Sequence, residues 1–127
     1  MNFHKAKGKF KRIVEIVLNK EFSTSEFLIL CGPGNNGGDG YFIGMGLSEL
    51  KKSVKFIDVL SHAKKSPLCE HAFEAAKDSD FIDAKTLKDI SSKTVIVDAI
   101  FGIGGRIHFT GVQGVTSGLT QRQEIGS

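Results

Sequence analysis

The run Gly32-Pro33-Gly34-Asn35-Asn36-Gly37-Gly38-Asp39-Gly40 packs five glycines, two asparagines and one carboxylate into nine residues. Glycines let backbone N–H groups turn toward a phosphate, and a helix starting behind them adds favourable partial charge. Asparagine amides offer both a donor and an acceptor. Asp39 is out of place in a plain phosphate cradle. It suggests a bound cation, or a hydrogen bond to a ribose or other hydroxyl. The run is neither G-x-G-x-x-G nor a P-loop, since it lacks the Lys-Ser/Thr ending. A glycine-rich turn with Asn and Asp capping a helix would use the same residues. Residue type alone leaves both readings open.

A second run is Asp98-Ala99-Ile100-Phe101-Gly102-Ile103-Gly104-Gly105-Arg106. It places a carboxylate at the end of an apolar stretch and a glycine loop after it. A carboxylate, an asparagine oxygen and backbone carbonyls suit a hard, oxygen-loving cation. Asp98 faces the first run if their strands are close in one sheet. It could instead cap the turn that follows. Arg106 could hold a phosphate or be an ordinary surface arginine. Cys31 and Cys69 make neither a disulfide framework nor a zinc site. They read as core thiols in a reducing compartment.

These residues need elements to position them. Phe27-Leu28-Ile29-Leu30-Cys31 is apolar throughout, as a strand buried on both faces is. A loop over residues 32–40 leads to a helix beginning near Gly40. Ile43, Leu47 and Leu50 form its stripe, with Phe42 and Met45 beside them. Gly44 and Gly46 lower its intrinsic stability but allow close approach to a sheet. Residues 54–60 are a second strand. Ser66-Pro67 is an N-cap followed by proline at the first helical position. Leu68, Cys69, Ala72, Phe73 and Ala76 supply that helix's stripe. Phe81 and Ile82 suggest a short strand, residues 87–90 a helical turn, and residues 94–100 a third buried strand. Upstream, Phe10, Ile13, Val14, Val17 and Leu18 form a helical stripe behind a basic start. That start reads as a solvated face, though a basic amphipathic helix could also touch a membrane or an acidic partner. The alternation predicts an α/β fold with a mostly parallel sheet. Residues 112–127 have no periodicity and read as the irregular tail of one domain spanning residues 1–127.

The chain has 127 residues, 40% hydrophobic and 24% charged, which excludes disorder and fibrous repeats. A net charge of +3 does not mark a nucleic-acid binder. There is no apolar run long enough to span a membrane and no signal-peptide pattern, so a cytoplasmic location is expected.

The run at residues 32–40, with its strand and helix, resembles the signature of the YjeF N-terminal domain family, the NAD(P)H-hydrate epimerases. Val97-Asp98-Ala99-Ile100-Phe101-Gly102-Ile103-Gly104, followed by Thr110-Gly111, resembles that family's second signature. The resemblance covers residues 13–111. It implies a Rossmann-like three-layer α/β/α sandwich, usually a homodimer. It implies interconversion of the R and S epimers of NAD(P)H hydrated at C6 of the nicotinamide ring. A partner dehydratase then acts on the S epimer. Substrate would contact Asn35, Asn36, Gly37, Gly38 and Asp39, together with Gly102, Ile103, Gly104, Gly105, Arg106, Ile107 and His108. A potassium ion would be held by Asn36 and Asp98.

The sequence also departs from the family. The family continues through a helix and a strand to an Asp-x-Pro-Ser-Gly segment, whose Asp is the acid/base candidate and whose Ser helps hold the cation. No Asp follows Gly111 here, so the chain reads as shortened at its C-terminal side and the fold as incomplete. Thr116-Ser117-Gly118-Leu119 echoes Pro-Ser-Gly-Leu with Gly114 in the Asp position, but no strand is expected before it. Asp39 and His108 are the remaining candidates for moving a proton, and neither replaces that Asp well. A sheet ending at the third strand would leave an open edge unless a second copy or the tail covers it. Two functions follow. One is an NAD(P)H-hydrate epimerase, impaired by the shortening. The other is a non-catalytic nucleotide-binding or interaction module that keeps the phosphate loop.

Overall fold

Strand β1 (Glu26–Cys31) buries Phe27, Leu28, Ile29 and Cys31, so side chains on both of its faces are covered. That is why its sequence is an unbroken apolar run rather than an alternating one. β1 lies between β2 (Val54–Asp58) and β3 (Thr94–Ala99) and is parallel to both. The computed structural model describes residues 26–85, 94–100, 107–112 and 120–125, the last two stretches as backbone. The helix expected at residues 10–18 and the helical turn expected at residues 87–90 lie outside the described residues.

Helix α1 (Asn35–Glu49) joins β1 to β2, and helix α2 (Pro67–Ala76) follows β2. α1 covers the sheet face that carries Ile29, Cys31, Phe56 and Ala99. α2 packs beside α1 and adds Cys69, Ala72 and Ala76 to the same core. Leu28 and Ile57 are buried on the opposite face. The expected Rossmann-like α/β arrangement therefore holds.

One boundary needs correction. The helix expected to begin near Gly40 begins at Asn35, so most of the expected loop is its first turns. Asparagine and glycine are poor helix formers, and packing overrides them here. A Cβ on Gly37 would fall on the carbonyl oxygen of Gly32, and one on Gly44 would fall on the Phe56 ring. Only glycine lets the helix sit this close to the strand ends. Leu50, expected in the apolar stripe, is 44% exposed at the helix end. Tyr41 fills the core instead, with its ring 5.4 Å from Phe56, 5.7 Å from Phe73 and 5.9 Å from Phe81. α1 ends in a Schellman arrangement. The Lys52 N–H donates to the Leu47 carbonyl at 3.1 Å and the Lys51 N–H to Ser48 at 3.0 Å, with Lys51 at φ 66°.

The sheet order is β2-β1-β3-β4-β5, with β4 (Ile107–Val112) and β5 (Thr120–Ile125) both antiparallel to their neighbours. Only seven residues separate β3 from β4, too few for the crossover a parallel strand requires. The tail expected to be irregular thus carries a strand. That strand, β5, pairs with β4, and it is β4 that covers the edge β3 would otherwise present. A strand also precedes the Thr116–Leu119 echo, contrary to expectation, although it runs antiparallel to β3 and residues 113–119 lie outside the described ones. Segment 80–82 lines the other edge: Phe56 and Phe81 form a parallel bridge, Phe56 N–H donates to Asp80 and Ile82 N–H to Phe56. The short strand expected at Phe81 and Ile82 is reduced to this single bridge. Among the described residues, no helix is long and apolar enough to cross a membrane.

Candidate functional site

In parallel α/β sheets, ligands bind beyond the carboxyl ends of the strands. Those ends are tied together here. The Gly32 N–H donates to the Ala99 carbonyl at 3.1 Å, and the Val59 N–H donates to the Cys31 carbonyl at 2.9 Å. The two helix starts are tied as well. The Ser66 N–H donates to the Pro33 carbonyl at 2.8 Å, and Ser66 Oγ donates to Asn35 Oδ1 at 2.7 Å. Ser66 Oγ also accepts from the Cys69 N–H at 3.2 Å, which is the expected N-cap of α2. The Cys69 thiol donates to the Gly32 carbonyl at 3.4 Å.

The α1 start differs from the α2 start. Its N-cap is Gly34, and no side chain caps it. The first N–H groups of a helix have no carbonyl within the helix to bond. Two helix N-termini meeting at one sheet edge favour an anion there.

Each expected site residue can now be placed. Asn35 is exposed, but its carbonyl oxygen is used by Ser66. Asn36 is half-buried in the first turn, and Gly37 and Gly38 are buried beneath it. Asp39 is only 6% exposed and interacts within the protein, so it is part of the helix seat rather than of an open loop. Asp98 pairs with Leu30 across β1 and β3, which places it at the carboxyl end of the neighbouring strand. It alternates with Val97 and Ala99, which face α1, so its side chain lies on the other face of the sheet. Its Oδ1 accepts the Ile100 N–H at 3.1 Å, the turn-capping bond that the sequence left open. β1 and β3 are indeed adjacent, and residues 35–39 and Asp98 share one sheet edge from its two sides. Ile107 opens β4, and His108 stands opposite Asp98 in the ladder. Gly102, Ile103, Gly104, Gly105 and Arg106 lie outside the described residues. Among the described residues, no group of three His, Cys, Asp or Glu gathers to hold a metal.

No sequence motif announces the pairing of Lys65 with Asp58. Lys65 Nζ lies 3.0 Å from Asp58 Oδ2, with side chains 8% and 17% exposed, and 4.5 Å over the Phe73 ring. The Tyr41 hydroxyl and Asp58 Oδ1 are buried beside this pair without a hydrogen bond of good geometry. Burial, with Cys31 and Asp58 nearby, pushes the Tyr41 hydroxyl above its ordinary range, so it stays protonated. Burial also raises the Cys31 thiol, and both cysteines are free and buried as expected.

Residues 5–121 match the family described as YjeF-related protein N-terminus. The chain is 33% identical over 91 residues to an NAD(P)H-hydrate epimerase of Weissella koreensis, an alignment covering 72% of this chain and 41% of that protein. It is 37% identical over 92 residues to the NAD(P)H-hydrate epimerase of Entamoeba histolytica, covering 68% and 39%. A bifunctional NAD(P)H-hydrate repair enzyme of Thermofilum pendens is 31% identical over 84 residues, covering 60% and 16%. The crystal structure of yeast ynu0 superposes with a TM-score of 0.59 at 18% identity, covering 77% of this chain and 44% of that one. The chain therefore spans about two fifths of the length of the first curated relatives it matches. With the family matched over nearly all of its residues, this chain belongs to the YjeF-related protein N-terminus family.

Proposed function

We propose that the chain binds hydrated NAD(P)H and acts as an NAD(P)H-hydrate epimerase, interconverting the R and S epimers in cofactor repair. The observation that carries this reading is the start of α1 at Asn35, uncapped by any side chain, at the carboxyl end of β1 and one strand from Asp98. The N–H groups of the first turn bind the pyrophosphate, and the α2 start beside them adds to the field. Asn35 keeps its amide N–H₂ as a donor, since its carbonyl oxygen is engaged.

Potassium fits the donor chemistry. Asn36 offers an amide oxygen, and Asp98 offers the carboxylate oxygen that Ile100 does not use. These two residues would hold the ion, and Ile100 would orient the carboxylate. When bound, the ion supplies positive charge beside the substrate oxygens. Asp39, buried in the helix seat, positions the first turn rather than moving protons. His108, the other proton-carrying candidate, stands opposite Asp98 in the ladder. The reading includes a dehydratase that consumes the S epimer; the Thermofilum pendens relative is named a bifunctional NAD(P)H-hydrate repair enzyme. The reading carries with it a homodimer in the cytoplasm.

The second reading is a nucleotide-binding module without turnover, favoured by the burial of Asp39. A coupled assay separates the two. Folded protein is added to R-NADHX with excess S-specific dehydratase and ATP in potassium buffer, and the return of NADH absorbance is followed. A rate above the spontaneous one that Asp98→Ala abolishes supports the epimerase. A rate equal to the spontaneous one sinks it and leaves the binding module.

A further inference from the structure

Beyond the carboxyl end of β2 lies a cleft of about 520 Å³, between residues 57–62 and 81–84. That is within the ordinary range of small-ligand sites, roughly 300–1,000 Å³. Its lining is largely apolar, with Ile57, Leu60, Phe81 and Ile82 beside the polar residues Asp58, Ser61, His62 and Asp83. Leu60 is unusual twice over. It is a large hydrophobic side chain left 53% exposed, and its backbone is left-handed at φ 58°. A non-glycine residue in that region costs about 1–3 kcal/mol and persists only where its surroundings hold it. The surroundings are visible. The Val59 N–H bonds to Cys31, the Ala63 N–H bonds to Leu60, and Lys65 clamps the far end of the loop to Asp58.

We infer that this cleft receives the purine half of the hydrated dinucleotide, with Leu60 against the base. The inference rests on the nucleotide reading proposed above. The pyrophosphate lies at the centre of such a substrate, so its two nucleosides leave in opposite directions. Asp98 and His108 stand on the β3–β4 side of the α1 start, which assigns the reacting ring to that side. The other nucleoside is then directed across β2, the next strand the opposite way. Adjacent strands lie about 4.8 Å apart, so the cleft is one step from the phosphate position. A flat, largely apolar base suits a largely apolar lining with polar residues beside it. Asp58, at the end of β2, occupies the place where dinucleotide folds commonly put a ribose-binding carboxylate. Here Lys65 holds one of its oxygens and the other is buried, so its part is to brace the loop.

The test is a backbone-amide NMR titration of the full chain with ADP-ribose and, separately, nicotinamide mononucleotide. ADP-ribose should move the signals of residues 57–62, 81–84 and 35–39, and the mononucleotide those of residues 35–39 but none of those in the cleft. Leu60→Gly should weaken ADP-ribose about fivefold and leave the mononucleotide unchanged, because only the exposed part of one apolar side chain is lost. Glycine accepts a left-handed backbone, so this variant folds, and Leu60→Met should restore most of the affinity. If ADP-ribose moves residues 35–39 alone and Leu60→Gly binds it normally, the cleft assignment is overturned while the nucleotide reading stands. If ADP-ribose moves the cleft and leaves residues 35–39 silent, the cleft stands and the phosphate placement falls. If neither compound moves any of these signals, both fall.

Discussion

Helix propensity and packing make opposite forecasts for Gly37→Ala, so the variant tests how α1 is seated. Propensity alone favours alanine over glycine by about 1 kcal/mol in a helix. Packing opposes it, because the new Cβ would fall on the Gly32 carbonyl oxygen. That carbonyl cannot swing aside. The Gly32 N–H is bonded to Ala99 at 3.1 Å, and the carbonyl itself accepts from the Cys69 thiol at 3.4 Å. Overpacking costs about 1–3 kcal/mol, and a backbone obstacle belongs at or above the upper end. The expected net loss is about 2 kcal/mol. At Gly44 the obstacle is the Phe56 ring, held 5.4 Å from Tyr41 and 5.3 Å from Phe81. That ring can shift a little, and we expect a net loss of about 1 kcal/mol. Gly34 has nothing within 4 Å of its added Cβ and an extended backbone at φ −92°, so Gly34→Ala should change stability by less than about 1 kcal/mol. Urea unfolding followed by circular dichroism would order the three variants, with thermal midpoints falling about 3–5 °C per kcal/mol. A Gly37→Ala protein as stable as the parent would refute the reasoning. It would mean that residues 35–39 do not form a helix turn pressed against the strand end.

Lys51→Gly should raise stability by about 0.5–1 kcal/mol, since Lys51 holds the left-handed position of a Schellman cap at φ 66°; a lowered urea midpoint would contradict this. Ser66→Ala removes the α2 cap and the link to Asn35 and should cost about 1–2 kcal/mol, with Ser66→Thr recovering most of it. Burial pushes the Cys69 thiol up to about 11 from its ordinary 9.0, so the fold favours the neutral thiol. That contribution is complete below about pH 9 and is lost as pH climbs toward about 11, because the unfolded chain releases its proton first. Urea midpoints should therefore fall between about pH 8 and pH 10.5, and Cys69→Ala should flatten part of the fall; an unchanged slope would remove Cys69 as the cause.

The parallel core was legible because its signals do not compete. Phe27-Leu28-Ile29-Leu30-Cys31 has no reading as an amphipathic helix, and Ser66-Pro67 is an N-cap whose bond to Cys69 is now seen. The antiparallel extension was legible only in part. Ile107-His108-Phe109-Thr110 alternates apolar with polar, which is a strand signal, and the short gap after β3 already excludes a crossover. Thr120-Gln121-Arg122-Gln123-Glu124-Ile125 has no such alternation. Its pairing comes from β4, a partner that no local pattern announces. Leu50 misled for the opposite reason. It keeps the helical spacing of Ile43 and Leu47 but falls at the last turn, where α1 has passed the sheet and Tyr41 has taken the core volume.

At the site, residue type was legible and geometry was not, and glycine is the reason. A run such as Asn35-Asn36-Gly37-Gly38 scores as loop because local propensity counts only the entropy glycine loses. It folds as helix because the same missing Cβ lets α1 approach the Gly32 carbonyl and the Phe56 ring. That choice changes the chemistry available. In a loop, each N–H would be aimed separately. In a first helical turn they point together out of the axis, where an anion meets several at once. Asp98 makes the same point from the strand side. Its residue type suits a cation, but only the Leu30 register shows that it approaches the edge from the face opposite α1. The nucleotide site is therefore a property of the shared edge, built where a close-packed helix start and a neighbouring strand end meet. Gly37→Ala should consequently weaken ADP-ribose binding as well as stability, by lifting the first turn off that edge, whereas Gly44→Ala, two turns further along, should affect stability alone.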